Sequence, residues 1–71
     1  MDRRPQELDV VALVRDRPDL GLARGQVGTV VDDPGGEAVL VEFADANGET
    51  FATPTLAAAD VMVLQFEPAA A

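Results

Sequence analysis

Gln26-Val27-Gly28-Thr29-Val30-Val31-Asp32-Asp33-Pro34-Gly35-Gly36-Glu37-Ala38-Val39-Leu40-Val41-Glu42-Phe43 decides the fold. It holds two β-rich runs parted by a Pro-Gly-Gly punctuation, and neither run repeats at the helical period. Residues 26–32 read as one strand and residues 37–43 as its neighbour. Val39, Val41 and Phe43 share one face of the second, with Glu42 on the other. Asp33-Pro34-Gly35-Gly36 places Pro and Gly where a type I or II turn wants them. Gly28, inside a strand, marks a bend, a bulge or a close backbone approach.

The flanks follow the same pattern. Residues 8–14 read as the first strand, with Leu8, Val10, Ala12 and Val14 on one face and Asp9, Val11 and Leu13 on the other. Residues 15–25, punctuated by Pro18, Gly21 and Gly25, read as a long loop pinned by Leu20 and Leu22. Asp45-Ala46-Asn47-Gly48 is a hairpin turn, Asn-Gly being the strongest short signal for one. Residues 49–53 form the fourth strand, stopped by Pro54. Leu56-Ala57-Ala58-Ala59 reads as a helical or 3₁₀ turn, and residues 60–66 as the last strand. The expectation is an all-β fold: a small five-stranded SH3-like barrel with a long first loop and a short 3₁₀ turn before the last strand. The barrel spans residues 8–66, between a flexible N-terminal arm (1–7) and a flexible C-terminal tail (67–71). A core this small should claim at least two of Phe43, Phe51 and Phe66.

Composition narrows the chemistry. At 71 residues there is room for one domain, burying about 60% of its unfolded surface. Thirteen acids against five bases give a net charge of −8. All five bases are Arg and lie at or before Arg24, whereas eight acids and no base follow Gly25. The chain has no His, Cys or Lys. Imidazole and thiolate chemistry, nucleophilic triads and zinc or iron–sulfur sites are therefore removed, and neither a catalytic site nor a cofactor is expected. The absence of Cys and of any long apolar run points to a soluble cytoplasmic protein without membrane contact.

The phrases Leu8-Asp9-Val10-Val11-Ala12-Leu13, Asp16-Arg17-Pro18-Asp19-Leu20-Gly21-Leu22 and Arg24-Gly25-Gln26-Val27-Gly28-Thr29-Val30-Val31 resemble the small bacterial DUF4926 family. So do Val41-Glu42-Phe43, Asp45-Ala46-Asn47-Gly48 and Thr55-Leu56, which extends the likeness from about Leu8 to Leu64. The resemblance implies an SH3-like barrel of uncharacterised function and brings no catalytic residues with it. Gly25-x-x-Gly28-Thr29-Val30-Val31 is also similar to the KOW-type element of ribosomal and transcription-factor barrels.

Each sharper motif reading meets a plainer one. Asp45-Ala46-Asn47-Gly48-Glu49 alternates oxygen ligands, but its Gly falls at the fourth position where a calcium loop needs it at the sixth. Gly25-x-x-Gly28 lacks the following helix that would hold phosphate. Arg15, Arg17 and Arg24 are interleaved with Asp16 and Asp19, which favours local salt bridges or a protein contact over nucleic acid. Asp32, Asp33 and Glu37 read as a solvated acidic turn. The expected function is a non-catalytic protein–protein interaction or accessory module, such as an antitoxin- or immunity-type protein or a complex subunit. Its partner surface would comprise Arg15, Arg17, Asp19, Arg24, Asp32, Asp33, Glu37, Asp45 and Glu49, facing a protein with a basic surface. The alternative is a KOW-like nucleic-acid-binding barrel. A homo-oligomer stays open, because Val61-Met62-Val63-Leu64 is apolar on both faces.

Overall fold

The computed structural model describes residues 4–66. Six strands run in the order β1 (Val10–Leu13), β2 (Val27–Gly35), β3 (Ala38–Ala44), β4 (Thr50–Ala52), β5 (Thr55–Ala57) and β6 (Val61–Val63). Two 3₁₀ turns interrupt them, Pro18–Leu20 in the first long loop and Ala58–Asp60 before β6. The strands form one antiparallel sheet in the order β4-β3-β2-β1-β6, and β5 pairs with β3 off that path. The sheet is open, ending at β4 and β6.

The all-β class and the 3₁₀ turn before the last strand match the sequence. The strand number does not. The additional strand is β5, Thr55–Ala57, which overlaps the stretch read as turn at Leu56 and Ala57, and it pairs Ala38↔Ala57, Val39↔Leu56 and Leu40↔Thr55. Three residues are too few for alternation to announce a strand. What makes it one is Leu56, buried in the core while its two neighbours face outward.

One face of the sheet carries the core: Val11, Leu13, Leu22, Val30, Val39, Val41, Phe43, Leu56 and Val61. Val11 and Leu13 are the inward face of β1; Val10 and Ala12 lie on its other side, half-buried. Phe43 is the only Phe inside. Phe51 is 48% exposed and Phe66 76% exposed, against the expectation of at least two core rings. Phe51 sits on a three-residue strand beside a register shift, and Phe66 lies past the end of β6; neither position faces the filled side of the sheet.

The β2–β3 hairpin is longer and more bent than its turn residues suggest. β2 continues through Pro34 to Gly35, and the reversal falls at Gly36 and Glu37 rather than over residues 33–36. Pairing passes from Val30↔Val41 to Asp32↔Leu40 and then Gly35↔Ala38, so β2 gains an extra residue twice. These are bulges, and the second accommodates Pro34, which has no N–H to give a ladder. Gly28 resolves as a close approach. A Cβ there would stand 2.7 Å from Val41 Cγ1 and 2.8 Å from the Glu42 carbonyl oxygen.

The first strand also starts later than residue 8. Gln6 to Asp9 is a turn: the Asp9 N–H donates to the Gln6 carbonyl (3.0 Å) and the Gln6 N–H donates to the Asp9 carboxylate (2.8 Å). Leu8 takes φ +76° there, a left-handed conformation in an exposed residue. The stretch read as an arm lies along the sheet from Arg4 onward, with Pro5 buried. Residues 1–3 and the tail 67–71 lie outside the described residues.

Two substitutions test these local arguments. Gly28→Ala is expected to lower stability by about 1–3 kcal/mol, because the β3 backbone cannot give way to a new methyl. Leu8→Asn is expected to raise it by up to about 1 kcal/mol, since Asn tolerates the left-handed region and no buried contact is lost. Urea unfolding of the full chain measures both.

Candidate functional site

The long first loop is held by its own charges. Pro18–Leu20 turns once and Gly21, at φ +70°, closes it by donating its N–H to the Pro18 carbonyl. Leu22 then drops into the core. Arg17 grips Asp19 with two hydrogen bonds, Nε to Oδ1 at 3.1 Å and Nη2 to Oδ2 at 3.0 Å. Asp60 completes the group: Arg15 Nε lies 3.2 Å and Arg17 Nη1 3.7 Å from its carboxylate oxygens. The Asp16 carboxylate accepts the Arg24 backbone N–H at 2.8 Å. The hydrogen bonds from Arg17 hold the Asp19 carboxyl below the usual carboxylate range, and the same contact raises Arg17. These are the local salt bridges the alternating charges imply. Asp60, 45 residues beyond Arg15 and 43 beyond Arg17, is the partner that no spacing pointed to.

The acidic turns divide in the same way. Arg4 Nη2 meets Asp33 Oδ1 at 2.7 Å, and the Gly35 N–H donates to the same oxygen at 3.2 Å. Both lower the Asp33 pKa, the Arg4 hydrogen bond most. Asp45 folds back on its own hairpin, its Oδ1 accepting the N–H groups of Asn47 (2.8 Å) and Glu49 (3.0 Å). Gly48 at φ +82° finishes that turn. The carboxylate is therefore spent on turn amides, as a hairpin requires. Asp32, Glu37 and Glu49 are exposed, and among the described residues none forms an ion pair.

The structure does not gather the nine expected surface residues into one patch. Arg15, Arg17, Asp19 and Arg24 belong to the loop that enters β2, and Asp45 and Glu49 to the turn that leaves β3; pairing Gly28↔Phe43 puts those at one end of the hairpin. Asp32, Asp33 and Glu37 are at the other end, beside Gly35↔Ala38. Asp32 and Asp33 lie four and five residues beyond Gly28 on β2, so they stand roughly 13–17 Å from that end along the strand.

The face that the strand register assembles away from the core is apolar. The register Met62↔Ala12↔Val27 sets one row across β6, β1 and β2 on the face away from the core. Met62 is 45% exposed and Val27 49%, and Val14 and Val10 continue the same face of β1. The signal was present in the four apolar residues of alternate parity in strand one, but period two alone does not say which face is inside.

Among the described residues no group of His, Cys, Asp or Glu is arranged to hold a metal, and no polar side chain is buried. None of the helical turns is long and apolar enough to cross a membrane. These observations define a small all-β domain whose Arg side chains are largely spent on local acids, with an apolar outer row beside unpaired carboxylates. The chain belongs to the family described as a domain of unknown function (DUF4926), whose model matches residues 7–63. No curated protein and no solved structure is significantly similar to it.

Asp19 and Asp33 carry a pH prediction. A carboxyl whose folded pKa is depressed adds stability above its unfolded value, near 4, and that stability is lost as the pH falls through the lower folded value. Thermal melts between about pH 6 and pH 2 should show the midpoint falling below about pH 4. Asp33→Asn should start lower at neutral pH and converge with the wild type at the acid end.

Proposed function

We propose that this chain is a non-catalytic protein-interaction module of the cytoplasm, an antitoxin- or immunity-type protein or a subunit of a larger complex, that docks a partner with a basic surface. The observation that carries the reading is the outward apolar row Met62–Ala12–Val27. Apolar side chains set side by side across three strands, rather than scattered singly, favour a contact face. Charge supports the same reading. Arg4, Arg15 and Arg17 are neutralised by Asp33, Asp19 and Asp60, so the excess that meets a partner is acidic. A surface of that kind steers a basic protein and repels phosphate. An SH3-like course of the chain fits the long first loop and the 3₁₀ turn that leads into the last strand.

The test is capture from the native cell with the full chain as bait, in parallel with Met62→Asp and Val27→Asp. A stoichiometric basic protein, lost with either variant and weakened by added salt, is the expected result. An electrophoretic shift of RNA or DNA at low salt, with no protein captured, would overturn it in favour of the nucleic-acid reading.

A further inference from the structure

The outer edge of β6, one of the two ends of the sheet, has backbone groups without partners among the described residues. The Leu64 N–H donates to the Val10 carbonyl (2.9 Å) and the Val14 N–H to the Asp60 carbonyl (2.9 Å). Even-numbered residues of this antiparallel ladder therefore turn their backbone toward β1, and Val61 and Val63 turn theirs away. The Val61 N–H is taken by the Ala58 carbonyl. The Val61 carbonyl and both backbone groups of Val63 pair with nothing among the described residues.

A groove of about 470 Å³ adjoins this edge, inside the range of ligand-sized pockets. Pro5, Ala58, Ala59, Val61 and Val63 give it apolar walls. Its two charged residues differ in state: Arg4 is already paired with Asp33, whereas Glu37 is exposed and forms no ion pair among the described residues. The edge is short and follows Asp60, but its sequence offers little else to block pairing. Residues 61–66 hold no charge and no Pro, and the β1–β6 register has no bulge.

We propose that this groove binds an extended segment of a partner protein, added to β6 as a further strand, with apolar side chains at alternate positions and a Lys or Arg that meets Glu37. The backbone of Val61 and Val63 supplies the ladder bonds and the apolar walls supply the alternate-residue pockets, the pattern of strand addition to a sheet edge. Charge selects the occupant. A second copy would bring another net −8 and no base after Arg24 to answer Glu37, whereas a basic segment neutralises it. The proposal rests on the protein-interaction reading and names the segment through which it acts.

The test uses the full chain, short random peptides displayed on phage, and two surface variants, Ala59→Trp to fill the groove and Glu37→Lys to reverse its charge. Both positions are exposed, and matching melts for variants and wild type check that the fold is kept. Enriched peptides should alternate apolar residues with Lys or Arg, bind about tenfold or more weakly to each variant, and slow hydrogen exchange at the Val63 amide. Enrichment of acidic peptides, or of none, overturns the proposal. So does binding that ignores Ala59→Trp, or a concentration-dependent dimer of the free chain that Ala59→Trp abolishes. If the cellular partner is still captured by the Ala59→Trp variant, the groove fails while the interaction reading stands. If no partner is captured but the peptides bind as expected, the interaction reading fails and the groove remains.

Discussion

β2 is the strand on which the rest of the molecule depends, because it is shared. It pairs with β1 through its first residues and with β3 along its whole length, and at Gly28 the two requirements meet. The missing side chain lets the β2 backbone lie against Val41, Phe43 and the Glu42 carbonyl. Two bulges further along bend the strand, so that β3 turns far enough to collect β5 on its other half. A flat pair would leave Leu56 outside; with the bend, Leu56 joins Val39 and the core closes around nine apolar side chains. In so short a chain no second layer exists to do this, and curvature within one sheet takes its place.

The charges are distributed by the same geometry. Arg15 and Arg17 leave the end of β1 at the point where β6 begins, which is why Asp60 falls between them. Exposed ion pairs of this kind contribute little each, about 0–1 kcal/mol. Their larger consequence is for recognition. With Arg4, Arg15 and Arg17 engaged, exposed carboxylates outside any ion pair among the described residues, Glu7, Asp32, Glu37, Glu42 and Glu49, define what an approaching molecule meets. The net charge of −8 is therefore felt mostly as acid at the surface, even on the side that holds the bases.

Alternation was enough to place β2 and β3, and Asn47-Gly48 enough to place the turn into β4, because each rests on interactions between near neighbours. β5 was illegible because Leu56 becomes a strand residue only when β3 stands beside it. Hydrophobicity alone would bury Phe51 and Phe66, because it records what a ring would gain by burial and not whether the sheet offers a place. The candidate surface was legible as types and not as an assembly. The Arg17–Asp19 pair is two residues apart and could be read; Arg15–Asp60 and Arg4–Asp33 are set by long-range pairing and could not.

The two ends of the sheet make the strongest structural argument about recognition. β4 is three residues long, carries a register shift, and is bounded by Glu49 and Pro54; each feature blunts an edge against further pairing. β6 is equally short and is preceded by Asp60, but it carries no register shift and residues 61–66 hold no Pro, and its apolar residues continue across β1 to Val27. An acidic domain whose β4 edge is broken by a register shift while its β6 edge is regular has an asymmetry that stability does not require. Polar residues at Met62 and Val27 would leave the core untouched, since both side chains face away from it. The apolar row and the β6 edge meet at Met62, so the exposed surface least explained by folding is also continuous.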